Sequence, residues 1–176
     1  ELILVKAPRI AVLRSDNTST YRYGEVWHFF EQQLEYPLMQ VNENRLPRLL
    51  SEIEVLIIPG GYYSKWSNSD SEKELLDWVA KGGKIIALSQ ALDLFADTDL
   101  FQLKKKEDPT QDTTTIPFSE LGRNEISEIT TGSVFEATLD KTHPLSFGVK
   151  RYYTLKLDAT AYDLLENKGN AFTLSS

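Results

Sequence analysis

The chain has no cysteine, only two histidines and a single methionine among its 176 residues. Without a thiol there is no disulfide, no thiolate metal site and no cysteine nucleophile. Two histidines are too few for a His-rich zinc site within this chain. Long apolar runs are missing too: none approaches the roughly 18–20 residues that cross a bilayer, so no membrane span is expected. Positive charge is in deficit, with 19 Lys+Arg against 26 Asp+Glu and a net charge of −7. Such a surface repels phosphate backbones, and nucleic acid is not an expected partner.

What remains is ordinary for a globular protein: 41% hydrophobic and 26% charged residues, in a length that suits one domain with a sizeable core. The opening Glu1-Leu2-Ile3-Leu4-Val5-Lys6-Ala7-Pro8 has neither an initiating Met nor a charged n-region. We read residues 1–7 as a linker from an upstream domain, and residues 8–176 as one domain cut from a longer protein.

Short apolar runs alternate with helical patterns along the first half. Arg9–Arg14 reads as a buried strand, followed by a helix over Tyr23–Leu34 with Val26, Phe29 and Phe30 on one face. Leu38–Val41 is a second strand, and Leu46–Ile53 a brief helical connector. Val55-Leu56-Ile57-Ile58 is apolar throughout, as a central parallel strand covered on both faces must be. A helix follows, with Ser69 and Ser71 each three residues before a Glu and Gly82-Gly83 as its stop. Lys84–Leu88 is then a further buried strand that enters a helix toward Phe95. This alternation predicts an α/β fold with a doubly wound, mostly parallel sheet. The polar stretch Lys104–Thr115 reads as a surface loop, in which Lys104–Lys106 form a solvated charge run. Beyond it, Ser133–Leu139, Tyr152–Leu157 and Ala171–Leu174 alternate as half-exposed strands, with a turn at Asn167–Asn170.

Two segments lie where an open parallel sheet binds ligands, past the carboxyl ends of its strands. One is Pro59-Gly60-Gly61-Tyr62-Tyr63. Paired glycines let backbone N–H groups converge on an anion, although Gly60 and Gly61 could equally just turn the chain. The other is Ala87-Leu88-Ser89-Gln90-Ala91. A nucleophile elbow needs small residues two before and two after the nucleophile, a demand that Ala87 and Ala91 meet around Ser89. The competing reading makes Ser89 the N-cap of the following helix. Tyr62, Tyr63 and Trp66 either wall a sugar or peptide pocket or pack as a lid. His28 falls on the side of its helix opposite Val26 and Phe30, hence toward solvent.

Ile57-Ile58-Pro59-Gly60-Gly61, then a helix, then Gly83-Lys84-Ile85-Ile86-Ala87-Leu88-Ser89, resembles the class I glutamine amidotransferase superfamily in order and spacing. The resemblance covers about Pro8 to Leu100. It implies a flavodoxin-like fold, to which the alternating segments beyond it add a β-rich C-terminal part, with an oxyanion hole at Gly60 and Gly61 flanked by Tyr62 and Gln90, and Ser89 in the place of the family's Cys. Glutaminase chemistry through a thioester is thereby excluded. A Ser nucleophile needs a base, and beyond the first helix the only histidine is His143, whose surroundings do not match the family's His-x-Glu pair. Serine-dependent dipeptidases do exist in the superfamily.

Tyr23–Leu34 together with Thr142-His143-Pro144-Leu145-Ser146-Phe147-Gly148 resembles, more narrowly, the amidotransferase-like domain appended to certain bacterial zinc carboxypeptidases. That resemblance implies a peptidase domain upstream as partner, with the zinc held there and no cofactor in this chain. A periplasmic or extracellular setting is expected for such a parent protein. Three functions follow: a non-catalytic accessory domain, a serine hydrolase built on Ser89 and His143, or a module for a small molecule, sugar or peptide.

Overall fold

The computed structural model describes residues 6–63, 69–98, 101–106, 132–156, 160–165 and 170–174, with backbone alone at 69–72 and 172–174. The chain divides into two compact units, Glu1–Phe95 and Ala96–Ser176.

In the first unit, strands β1 (Ile10–Arg14), β2 (Met39–Asn42), β3 (Val55–Ile58) and β4 (Lys84–Ala87) alternate with helices α1 (Thr20–His28), α2 (Leu46–Leu49) and α3 (Ser69–Ala80). The strands form one parallel sheet in the order β2-β1-β3-β4. The unit is therefore α/β. Because side chains alternate across a strand, the apolar run of β3 supplies both faces. Ile57 and Val55 join Val12, Leu38 and the α1 residue Val26 in one core cluster, flanked by Ile10, Tyr23 and Phe30. On the opposite face Ala11, Leu13, Val41, Leu56 and Ile58 are fully buried. Burying each of these leucine, isoleucine and valine side chains stabilises the fold by about 1.5–3 kcal/mol.

Three elements depart from the sequence reading. The first helix starts earlier than Tyr23, at Thr20, where the Tyr23 N–H donates to the Ser19 carbonyl. It then widens into a π turn over Phe29–Gln33, in which Leu34 N–H reaches back to the Phe29 carbonyl. Phe29 consequently rotates out to 45% exposure while Phe30 stays against the core. Strand β4 forms as expected but is not buried, with Ile86 at 46% and Leu88 at 38% exposure. Among the described residues it is the outermost strand, flanked only by β3, so β-propensity placed the strand without placing its cover. The segment after β4 is a 3₁₀ turn over Ser89–Leu94, where an α-helix was expected. The chain leaves β4 through Ser89 at φ 52° and then tightens through i→i−3 bonds such as Ala91 N–H to the Leu88 carbonyl. The connector at Leu46–Ile53 resolves into α2 flanked by two 3₁₀ turns.

The second unit is a three-stranded antiparallel sheet of β5 (Val134–Leu139), β6 (Tyr152–Leu155) and β7 (Phe172–Leu174), in the order β6-β5-β7. Its β-rich character agrees with the alternation in the sequence. On the two strands with described side chains, β5 and β6, Ala137 is buried and its neighbours are mostly exposed. Of the polar stretch expected as a loop, only Lys104–Lys106 are described, and Lys105 makes a β-bridge to Tyr162. The turn expected at Asn167–Asn170 falls outside the described residues except for Asn170, as do the side chains of Ser69 and Ser71. Among the described residues no helix is long and apolar enough to cross a membrane.

Candidate functional site

Strand register assembles the site. Ile58 pairs with Ala87, so the residues two beyond each strand end, Gly60 and Ser89, emerge side by side at the carboxyl edge. Leu88 N–H donates to the Ile58 carbonyl at 3.0 Å and carries the pairing one step past the strands. A Cβ placed on Gly60 would lie 3.1 Å from Gln90 Oε1 and 3.2 Å from both Arg22 Cγ and Ser89 Cβ. Arg22, not expected in the site, thus shares one corner with Gly60, Ser89 and Gln90. Arg22 reaches it from the first turn of α1 and pairs with Glu25 at 3.0 Å.

Ser89 is not the N-cap that the competing reading made it. Leu88 holds that position, and among the described residues the Ser89 hydroxyl has no hydrogen-bond partner. Its φ of 52° places it in the left-handed region, which disfavours any Cβ-bearing residue by about 1–2 kcal/mol. A left-handed serine directly after a strand is one feature of a nucleophile elbow, although here a 3₁₀ turn and not an α-helix follows it.

Gly61 answers a different demand. It forms an antiparallel bridge with Thr18, framed by Ser19 N–H to the Gly60 carbonyl (3.1 Å) and Tyr62 N–H to the Asn17 carbonyl (2.9 Å). In this kind of pair the Gly61 N–H points away from Thr18. Among the described residues neither the Gly60 nor the Gly61 N–H donates a hydrogen bond. Both glycines are themselves buried.

The aromatic cluster divides. Tyr62 is 87% exposed, whereas Tyr63 folds back. Its hydroxyl meets Thr18 Oγ1 at 3.0 Å and donates to the Pro59 carbonyl at 2.8 Å. Burial pushes the Tyr63 pKa up, against the opposing effect of the Thr18 hydrogen bond. Tyr63 thus packs the turn instead of walling a pocket, and Trp66 lies outside the described residues.

His143 belongs to the second unit, within a self-contained turn. Its Nδ1 accepts from Leu145 N–H at 3.2 Å, and Asp140 Oδ1 accepts from both Thr142 N–H (2.9 Å) and Thr142 Oγ1 (2.6 Å). With Nδ1 accepting, the neutral ring carries its proton on Nε2 and offers no lone pair there for a serine proton. Thr142 holds the Asp140 pKa below its ordinary value, with the nearby His143 adding to the effect. His28 is exposed at the end of α1, as its helical position required.

The sequence reading missed Arg22 and the Ser15–Ser19 loop. A usable signal was present: five polar residues follow directly on a buried strand that neighbours the direction change in strand order, where ligand loops gather. Among the described residues no group of three or more His, Cys, Asp or Glu could hold a metal ion. Comparison of the chain with family models, curated proteins and solved structures finds no match.

Proposed function

We propose that this chain is a non-catalytic accessory domain with a doubly wound, flavodoxin-like scaffold of the class I glutamine amidotransferase kind. In this reading it serves a zinc carboxypeptidase domain of the same parent protein, which holds the zinc. The corner of Gly60, Gly61, Ser89 and Gln90 receives a carbonyl or carboxylate of a small-molecule or peptide ligand. The observation that carries the reading is the state of Ser89: raised in a left-handed turn beside Gly60, with an unbonded hydroxyl. The absence of cysteine and the engagement of His143 Nδ1 within its own turn support a binding role over a catalytic one.

A glutaminase assay and labelling with a fluorophosphonate probe test it together. The expected result is no ammonia release and no modified serine. The same left-handed φ favours one competitor, a serine hydrolase, since elbow nucleophiles share it. Fluorophosphonate labelling that disappears in Ser89→Ala would establish that competitor and end the accessory reading.

A further inference from the structure

A cavity of about 290 Å³ opens at the carboxyl ends of β1 and β2, lined by Arg14, Ser15, Asp16, Gln40, Val41 and Asn42. Arg14 and Asn42 are register partners on adjacent parallel strands, and Gln40 lies two residues before Asn42. Side chains repeat every second residue on a strand, so Arg14, Gln40 and Asn42 share the face that also carries Val12. Val41 is fully buried in the core, which leaves the lining polar.

The functional groups are partly committed already. Asn42 Oδ1 accepts from Asn44 N–H at 3.1 Å, so its NH₂ is the part left to face the cavity. The Ser15 hydroxyl is held by Thr18 Oγ1 and Asn17 N–H. Among the described residues Arg14 and Asp16 form no ion pair, and both are exposed. The Tyr23 hydroxyl, within electrostatic reach of Arg14, is buried with no hydrogen-bond partner among the described residues.

One guanidinium and one carboxylate, with two carboxamides between them in kind, match a ligand that bears both charges. Arg14 presents a planar fork for a carboxylate. Asp16 supplies the acceptor for an ammonium and repels a phosphate. A neutral sugar would leave both charges unmatched, and an apolar ligand has nothing here to pack against. We infer that this cavity is a binding site for a small zwitterion, a free α-amino acid, distinct from the Gly60–Ser89 corner.

The inference concerns the first unit alone and does not depend on the role assigned to Ser89. Its test is an amide NMR titration of the full chain with L-alanine, L-glutamine and L-lysine, and separately with acetate, methylammonium, inorganic phosphate and glucose. At least one amino acid should shift Arg14, Gln40 and Asn42 saturably at millimolar concentration, with acetate and methylammonium each at least about tenfold weaker. Arg14→Gln and Asp16→Asn should each weaken that binding by about tenfold or more. Both side chains are exposed, and unshifted resonances of the buried Leu56 and Ile58 verify that the variants remain folded. No saturable response to any amino acid, tighter binding of phosphate or glucose, or full affinity in both variants would each overturn the assignment.

Discussion

Gly61 lies so close to Asn17 that a Cβ at position 61 would stand 2.3 Å from the Asn17 carbonyl oxygen and 2.9 Å from Thr18 Cα. Both obstacles are backbone, so neither can swing aside. At Gly60 the obstacles are the side-chain atoms of Gln90, Arg22 and Ser89, at 3.1–3.2 Å. Gly61→Ala should therefore destabilise the fold by about 1–3 kcal/mol, as overpacking does. Gly60→Ala should lose less than about 1 kcal/mol. Urea denaturation of the two variants reads the difference directly, and equal losses would contradict the backbone argument.

Ser89 offers a test of strain. Glycine tolerates φ 52° without the Cβ penalty, so Ser89→Gly should leave stability unchanged or raise it by up to about 1 kcal/mol. A β-branched residue is a genuine misfit there, and Ser89→Val should lose about 1–2 kcal/mol. Ser89→Ala removes a hydroxyl that bonds to nothing described, and should stay within about 0.5 kcal/mol of the parent. A loss beyond about 1 kcal/mol in the alanine variant would show a hydrogen bond at that oxygen.

Tyr63 ties the loop after β1 to the turn after β3 through Thr18 and Pro59. Tyr63→Phe should cost about 0.5–1.5 kcal/mol in chemical denaturation. The raised pKa has a definite sign. A group that holds its proton more tightly when folded adds stability below its unfolded value, here 10.0, and loses it as pH rises through the folded value. Spectrophotometric titration should show Tyr23 and Tyr63 both ionising late, and Tyr63→Phe should shrink that late phase by one tyrosine.

Asp140 titrates in the opposite sense. The Thr142 hydroxyl and N–H stabilise its carboxylate, so its contribution is complete above the ordinary value of 3.8 and fades as pH falls through the lowered one. In Thr142→Val the larger cause is removed, and carboxyl NMR should find the Asp140 pKa moved back up. An unmoved value would mean that the backbone N–H alone sets it.

Much of the first sheet was legible because apolar periodicity encodes burial. The unbroken Val55–Ile58 run could only be an interior strand, and Gly60 and Gly61 marked its exit. The left-handed Ser89 was not legible, since serine has no propensity for that region. Nor was the inward turn of Tyr63, which depends on a threonine 45 residues away. The exposure of Ile86 reflects which strands flank β4, a property of topology that no local window contains.

The strand order of the first unit also bears on how quickly it can form. Every ladder in it joins strands that are distant along the chain: Ile10 must find Val55, and Val55 must find Lys84. Among the described residues no hairpin is available to seed this sheet, so the unfolded chain has to close long loops before its parallel pairing rewards it. In the second unit Ala137 meets Tyr152 across a much shorter span, while its pairing with Leu174 on the other side is as non-local as the ladders of the first unit. The second unit thus has one local pairing that can form early, whereas every described ladder in the half that carries Gly60 and Ser89 waits on a distant partner.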